Sequence, residues 1–197
     1  MMIIGLTGTY CAGKNYAARL LEARGLPALD VDKLGHRAIE LERDLILARF
    51  GREVLGPGGA VDRRRLGQRV FAQPGELAAL EAIVHPRANR LIDEWIAGQR
   101  SQGRSCVINA ALLHRSPAFT VLDALIIVQA PLPVRLIRAR RRDKLPWGEI
   151  FKRVWSQRNF TVQYLRKNAD TYRVYNGGYS GRCLERQLGA ILSRLGL

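Results

Sequence analysis

Residues 8–15 have the sequence Gly8-Thr9-Tyr10-Cys11-Ala12-Gly13-Lys14-Asn15 and directly follow the apolar run Met2-Ile3-Ile4-Gly5-Leu6. Glycines let the backbone of such a loop curl so that successive N–H groups point inward at phosphate oxygens, and a following helix adds its positive end. Lys14 supplies a mobile charge for the β and γ phosphates of a nucleotide. The stretch therefore predicts a phosphate-binding loop, and a plain strand, turn and helix without a ligand is the alternative.

The residues after the loop fit a helix with one departure from the phosphate-loop pattern. Residues 16–25 place Ala17, Leu20 and Leu21 on one face and end in a glycine, which is typical of a helix terminus. Asn15 stands where such loops carry a Ser or Thr hydroxyl for Mg²⁺, and its amide oxygen is a neutral ligand with a longer reach. A loop that binds nucleotide without turnover, or binds nothing, is therefore a further alternative.

Length and composition predict one compact domain. The 197 residues are 47% hydrophobic, which is enough to bury a full core. The three cysteines form no CxxC pair and are odd in number, so we expect no disulfide framework or zinc site, and a reducing, cytoplasmic environment. No signal peptide is expected, and the longest later apolar stretch, residues 121–137, is too polar to span a membrane.

The charge of the chain predicts an anionic partner. There are 32 basic and 17 acidic residues, which give a formal net charge of +15. A nucleic-acid surface, a polyphosphate substrate and a genome that prefers arginine codons would each explain this excess, but only a polyphosphate substrate also explains the loop. The clusters at residues 63–65 and 140–142 are ambiguous, because a run of charges is more often a solvated helix face than a binding site. The sequence lacks the interleaved basic and aromatic residues that single-strand binding proteins use.

Strands and helices are predicted to alternate along the chain. Short apolar runs predict strands at residues 27–32, 106–109 and 125–128, and helical periodicity covers residues 33–50, 132–142 and 148–167. Residues 61–102 are predicted to be helical with a break at His85-Pro86, and a last helix begins at Gly181 after residues 172–176. The alternation predicts a parallel α/β sheet with the middle of the chain inserted.

An acidic residue is expected beside the loop. Ligands of open parallel sheets collect at the carboxyl ends of the strands, where both the loop and Asp32 should emerge. A carboxylate there can orient or deprotonate an attacking hydroxyl. Asp is also a favoured N-cap, so Asp32 could instead cap a helix that begins at Lys33. Asp30 could take either role.

The chain resembles the dephospho-CoA kinase family over most of its length. The resemblance rests on the loop and on an ordered series of matches, which includes Ile4-Gly5-Leu6-Thr7-Gly8, Leu29-Asp30-Val31-Asp32-Lys33-Leu34-Gly35-His36, Gly59-Ala60-Val61-Asp62-Arg63 and His85-Pro86. Weaker matches continue through residues 138–143, Gln157, 169–170 and 176–178. The order and spacing of these matches, more than any one of them, carry the resemblance.

The resemblance implies a fold and a division of the chain. It implies the three-layer α/β fold of P-loop NTPases, with a parallel five-stranded sheet, a helical substrate-binding insertion and a lid. Residues 1–197 would form one domain, with its core at residues 1–50, 104–141 and 168–197. The insertion would cover residues 51–103 and the lid residues 142–167.

The resemblance also implies a reaction and its residues. ATP and Mg²⁺ would be used to phosphorylate the ribose 3′-hydroxyl of dephospho-CoA, which gives coenzyme A. Asp32, Lys14 and Arg142 would be catalytic, and Arg63 and His85 would bind the acceptor. ATP would be bound by Gly8, Cys11, Ala12, Gly13, Lys14, Asn15, Tyr16 and Arg138, and the metal ion by Asn15. His85 could instead only end a helix, and Arg138 or Arg142 could be a surface charge.

A second departure from the family pattern lies at residues 109–115. The family carries Asp-x-Pro-Leu-Leu-x-Glu there, whereas this chain has Asn109-Ala110-Ala111-Leu112-Leu113-His114-Arg115. A neutral Asn109 weakens the support for Mg²⁺ at the same place where Asn15 lacks the hydroxyl. Another small P-loop kinase, or a non-catalytic binder of nucleotide or nucleic acid, therefore remains an alternative.

Overall fold

The structure is a computed structural model that describes residues 1–73, 75–157, 160, 169–178 and 181–197. Five strands form one sheet in the order β2-β3-β1-β4-β5, namely β1 (Ile3–Gly8), β2 (Ala28–Asp30), β3 (Cys106–Asn109), β4 (Ala124–Gln129) and β5 (Asp170–Tyr175). Strand β1 pairs in parallel with β3 and β4, and β4 pairs in parallel with β5. The predicted fold is confirmed.

Eight α-helices lie in the described part of the chain: α1 (Lys14–Glu22), α2 (Val31–Leu41), α3 (Arg43–Phe50), α4 (Arg63–Ala72), α5 (Glu76–Ser101), α6 (Leu132–Asp143), α7 (Trp147–Trp155) and α8 (Arg182–Arg194). The helix predicted over residues 148–167 falls in part outside the described residues. None of the described helices has the length and apolar character that crossing a membrane requires.

The central strands are apolar because both faces of the sheet are covered. All six residues of β1 are buried, and the core joins Leu6 of β1 and Ile126 of β4 to Leu21 of α1 and Leu188 of α8. Gly8 ends β1 against β4, where a Cβ atom would lie 2.8 Å from the carbonyl oxygen of Val128. Only a glycine allows this approach, and the chain leaves the sheet at this point.

The chain packs as two compact units, residues 1–29 with 98–197 and residues 30–97. The first unit holds the loop and nearly the whole sheet. The second has a core of its own in which Ile46, Phe50, Val61 and Leu66 are buried. It begins at Asp30, earlier than the predicted insertion at residue 51. The functional division into core, insertion and lid stays a prediction.

Two helix predictions are wrong. The single helix predicted over residues 33–50 is two helices, which meet at Glu42. The break predicted at His85-Pro86 is absent, since α5 continues through Pro86, and the interruption lies between Ala72 and Glu76 instead. An internal proline costs a helix one hydrogen bond, but Val84 and Ala88 on either side of it are buried in one apolar cluster. Their packing holds the helix together.

Candidate functional site

The loop between β1 and α1 has the backbone that its glycines predict. Cys11 and Gly13 have φ values of 58° and 99°, both in the left-handed region, and the N–H of Ala12 donates to the carbonyl oxygen of Thr9 at 2.9 Å. Left-handed residues turn successive N–H groups toward one side, which creates a concavity suited to an anion. Lys14 begins α1 directly after Gly13, so the positive end of the helix faces the same loop.

Two side chains brace the loop by binding the carbonyl oxygen of Ala12. The Nδ2 of Asn176 donates to the carbonyl oxygen of Ala12 at 2.8 Å, and Nη1 of Arg138 donates to the same oxygen at 3.3 Å. Arg138 also donates to the carbonyl oxygen of Asn176 at 3.0 Å. A Cβ atom on Gly13 would lie 2.2 Å from the Asn176 amide nitrogen. Bracing by Asn176 therefore requires glycine at residue 13, and these contacts give Arg138 a role in holding the loop.

Tyr16 contacts the protein through both its backbone and its side chain. Its N–H donates to the carbonyl oxygen of Gly13 at 3.0 Å. Its hydroxyl lies against Gly181 at the start of α8, where an added Cβ atom would be 2.4 Å away. The side chain of Tyr16 therefore packs across the start of α8.

The two departures from the family pattern contact each other. Asn109 at the end of β3 donates from Nδ2 to Oδ1 of Asn15, over 3.4 Å. Asn109 is only 3% exposed, and its Oδ1 is buried with no hydrogen-bond partner in the described structure. A buried amide oxygen without a partner costs about 1–3 kcal/mol, so Oδ1 of Asn109 is expected to bind a water molecule or a ligand.

Tyr10 joins the loop to the pair of helices α6 and α7. Its hydroxyl donates to Oδ2 of Asp143, the last residue of α6, and its N–H donates to Oε1 of Gln157 at 2.6 Å. The guanidinium carbon of Arg142 lies 5.3 Å from the centre of the Tyr10 ring. Burial raises the pKa of Tyr10, and its hydrogen bond to Asp143 raises it further. Tyr10 is therefore a neutral donor near pH 7.

Arg142 and Asp143 form a close ion pair at the end of α6. Nε of Arg142 donates to Oδ1 of Asp143 at 2.6 Å, and Nη2 donates to Oδ2 at 3.1 Å. The bond from Arg142 lowers the pKa of Asp143, and the same bond raises the pKa of Arg142. Both groups are therefore charged near neutral pH. The structure thus places Arg142 beside the loop, within reach of the Tyr10 ring.

The remaining predicted residues lie in the second unit. The N-cap of α2 is Asp30, whose carboxylate accepts hydrogen bonds from the N–H groups of Asp32 and Lys33 at 3.1 and 3.3 Å. The alternative in which Asp32 caps a helix beginning at Lys33 is therefore wrong, because the helix begins at Val31 and Asp30 caps it. Asp32 lies exposed in the first turn of α2.

A surface pocket of the second unit contains Arg63 but not His85. The pocket has a volume of about 540 Å³ and is lined by His36, Val61, Asp62, Arg63 and Arg64. Asp62 caps α4, and hydrogen bonds from the backbone N–H groups of Arg65 and Arg64 lower its pKa. His85 is exposed on α5 and lies inside the helix, so the interpretation that it ends a helix is wrong.

Four residues of the site have no assigned role in the sequence analysis: Tyr10, Asp143, Gln157 and Asn176. Three of them, Asp143, Gln157 and Asn176, belong to the weaker matches with the family. Those matches did not predict which residues they contact. Their partners in the loop are more than 100 residues away in sequence, and no periodicity connects such positions. For Tyr10, the sequence showed only that it lies inside the loop and gave no indication of its contacts.

Comparison with known proteins adds a family to this geometry. A family model described as dephospho-CoA kinase matches residues 2–177. The dephospho-CoA kinase of Anaeromyxobacter dehalogenans is 42% identical over 161 residues, which cover 80% of this chain and 76% of that protein. The crystal structure of a Thermus thermophilus protein has a TM-score of 0.81 at 36% identity and covers 98% of this chain and 97% of its own. The dephospho-CoA kinase of Campylobacter jejuni has a TM-score of 0.74 at 22% identity, covers 99% and 98% of the two chains, and shares the fold.

Proposed function

The chain belongs to the dephospho-CoA kinase family, and on that premise we propose that it transfers the γ-phosphoryl group of ATP to the ribose 3′-hydroxyl of dephospho-CoA. The products are ADP and coenzyme A. The family model and the relatives confirm the resemblance that the sequence predicted. The observation that carries the proposed reaction is the backbone of the loop, in which Cys11 and Gly13 are left-handed and Lys14 begins the next helix.

We assign the phosphates of ATP to residues 8–16. Backbone N–H groups of the loop and the positive end of α1 would hold the phosphate oxygens, and Lys14 would follow the charge on the transferring group. Arg142 would add a second positive charge to the transferring phosphate. The position of Arg142 against Tyr10, a residue of the loop, supports this assignment.

We assign the acceptor proton to Asp32. The 3′-hydroxyl oxygen forms a bond to the γ phosphorus while the bond from that phosphorus to the bridging oxygen of ADP breaks, and the hydroxyl proton passes to the Asp32 carboxylate. The Asp30 carboxylate accepts the capping hydrogen bonds of α2, so Asp32 is not needed as the cap of this helix. This makes Asp32 the better candidate of the two.

Asn15 and Asn109 would hold Mg²⁺ through their amide oxygens. Both oxygens are hard, neutral donors of a kind that Mg²⁺ accepts, and the unpartnered Oδ1 of Asn109 fits a group that is completed by a ligand. In the described part of the chain, no three His, Cys, Asp or Glu side chains converge on a metal site. When bound, Mg²⁺ would neutralise charge on the phosphate oxygens. Because the amides bring no charge, we expect the metal to bind together with ATP.

The pocket of the second unit is our candidate for binding the acceptor. Dephospho-CoA contains a diphosphate, and the pocket presents the basic residues His36, Arg63 and Arg64. Arginine binds such groups through two parallel hydrogen bonds. His85 does not line this pocket, so its role in acceptor binding rests on the family resemblance alone.

An acceptor panel tests the proposed function. Purified protein with Mg²⁺ and ATP is supplied with dephospho-CoA, adenosine, shikimate or no acceptor, and ADP release is followed. We expect release with dephospho-CoA alone and none with Lys14→Ala, while Lys152→Ala, which removes an exposed lysine from α7, keeps activity. ADP release with another acceptor would indicate a different small-molecule kinase. ATP binding without release would indicate a non-catalytic binder.

A further inference from the structure

Tyr10 is one of the loop residues that contact the helices α6 and α7, and it makes several of these contacts. Each of its three polar groups has a partner in or just after these helices: the hydroxyl donates to Asp143, the N–H donates to Gln157 at 2.6 Å, and the carbonyl oxygen accepts from Nε of Arg135 at 2.8 Å. The ring is partly buried against the small apolar cluster of Cys11, Ala139 and Ile150. A loop residue with so many partners in one segment fixes that segment relative to the loop.

Two arginines face the ring of Tyr10. The guanidinium carbons of Arg142 and Arg153 lie 5.3 and 5.9 Å from the ring centre, within the range of a cation–π contact. Both arginines also approach Asp143, at 2.6 Å for Arg142 and 3.8 Å for Arg153. Tyr10 therefore contacts the guanidinium of Arg142 through its ring and the partner of that guanidinium through its hydroxyl.

We propose that Tyr10 is a positioning residue, which together with Asp143 sets the guanidinium of Arg142 beside the phosphate loop. The inference rests on the proposed function, in which Arg142 stabilises the transferring phosphate. Arginine has a long side chain with many rotamers, and its side chain here is 60% exposed. The contact with the Tyr10 ring and the hydrogen bonds to the Asp143 carboxylate restrict that freedom. Tyr10 thereby acts on the reaction through Arg142 without contacting the reacting atoms.

A positioning role separates turnover from ATP affinity. The loop keeps its braces from Asn176 and Arg138 when Tyr10 is changed, since both bind the carbonyl oxygen of Ala12. The backbone that binds the phosphates is therefore retained. Loss of Tyr10 should affect the transition state, where the charge from Arg142 is needed, more than the binding of ATP.

The test is a double-mutant cycle on Tyr10→Leu and Arg142→Ala. We expect Tyr10→Leu to lower kcat by about 10- to 100-fold and Arg142→Ala by a similar factor, with the Kd for ATP changed less than about threefold. If Tyr10 acts through Arg142, the double variant is no slower than Arg142→Ala alone. Tyr10→Phe keeps the ring contact and loses the bond to Asp143, so its kcat should lie between those of wild type and Tyr10→Leu. Fully additive effects, or a loss explained by ATP affinity, would overturn the inference.

A matched control is available on the same pair of helices. Trp147 at the start of α7 has the guanidinium carbon of Arg140 at 5.8 Å from its ring, and Trp147→Leu removes a similar contact that does not involve the loop. We expect its kcat to stay within about twofold of wild type, the size of effect usual for an exposed contact.

Hydrogen exchange separates failure of this inference from failure of the proposed function. Without any acceptor, Tyr10→Leu should speed exchange both in residues 8–16 and in residues 140–157, whereas Trp147→Leu should speed it only in the second segment. If wild-type protein does not turn over dephospho-CoA, the proposed function fails, and the exchange data alone then decide whether Tyr10 fixes the segment that contains Arg142. Unchanged exchange in both segments would contradict the inference.

Discussion

The side-chain amides of Asn15 and Asn109 face each other across the carboxyl edge of the sheet, with Nδ2 of Asn109 3.4 Å from Oδ1 of Asn15. These are the positions at which the chain lacks the hydroxyl and the carboxylate of its family. A neutral pair has therefore replaced a pair with one negative charge. The change removes repulsion with the phosphates of ATP, and it also removes attraction for a metal ion.

A negative charge at residue 109 should make the thermal stability of the protein depend on bound Mg²⁺ and ATP. Asn109→Asp buries a carboxylate at a position that is 3% exposed, which should lower the melting temperature of the free protein. Mg²⁺ with ATP should reverse most of that loss, because the cation pairs with the new charge. Thermal unfolding with and without Mg²⁺ and ATP measures both effects. Asn89→Asp, on α5 in the second unit, serves as the control and should show no recovery that depends on Mg²⁺.

Gly13→Ala should abolish ATP binding without unfolding the protein. Alanine is strained at a φ of 99°, and its Cβ atom would meet the Asn176 amide at 2.2 Å. We expect the Kd for ATP, measured by calorimetry, to rise by more than about 100-fold, because the loop must open to relieve both problems. Gly98→Ala is the control, since nothing lies within 4 Å of a Cβ atom there. Tight ATP binding by Gly13→Ala would show that the braced loop is not the phosphate site.

Asp32 and Asp30 should be separable by amide substitution. Asp32→Asn should lower kcat by about 10²- to 10⁴-fold with little effect on ATP affinity, because it removes the proton acceptor. Asp30→Asn should leave kcat nearly unchanged, since asparagine caps helices as well as aspartate does, whereas Asp30→Ala should cost about 1 kcal/mol of stability. Steady-state kinetics and urea unfolding of the three variants check this. Normal turnover by Asp32→Asn would show that Asp32 does not accept the hydroxyl proton.

The three thiols should react in a fixed order. Cys183 is exposed, while Cys11 and Cys106 are buried, and burial raises the pKa of Cys11 and raises that of Cys106 to about 11. At pH 8 we expect one thiol to react fast with an aromatic disulfide reagent and two to react slowly, with all three reacting in denaturant. Cys183→Ala should remove the fast phase.

The Cys106 thiol should also make the stability of the protein fall as the pH rises. Cys106 has a folded pKa above its unfolded value of about 8.5, so the folded state holds the proton more tightly. Its contribution to stability is complete below pH 8.5 and is lost as pH rises toward 11. The melting temperature should therefore fall over that range, and less steeply in Cys106→Ala. An equal slope in both proteins would mean that other groups cause the fall.

The sequence predicted the features of the fold that depend on neighbouring residues. The strand before Gly8, the glycine-bounded loop and the basic helix α6 each follow from local periodicity or turn chemistry, and the structure has all three. The uninterrupted α5 was missed because the burial of Val84 and Ala88 outweighs the local effect of Pro86. The α2–α3 boundary at Glu42 was missed as well, since residues 33–50 have one continuous helical periodicity. The sequence left the cap of α2 open between Asp32 and Asp30, because aspartates have equal capping propensity, and in the structure the cap is Asp30.

The site was predictable only as a set of separate pieces. Lys14 and Gly13 are identified by their spacing, but the bond from Tyr10 to Asp143 joins residues 133 positions apart, and the bond from Asn176 to Ala12 spans 164. Neither contact has a local signal. The pairing of Asn15 with Asn109 likewise becomes visible only when β1 and β3 lie side by side.

The central claim is that this chain phosphorylates dephospho-CoA despite its neutral amide pair. The most direct measurement incubates the protein with Mg²⁺, dephospho-CoA and ATP labelled at the γ phosphate, and separates the products by chromatography. We predict labelled coenzyme A from the wild-type protein, an equal amount of ADP, and neither product from Lys14→Ala. No labelled coenzyme A from the wild-type protein would contradict the account, and product recovered in Asn15→Thr would then identify the missing hydroxyl as the cause.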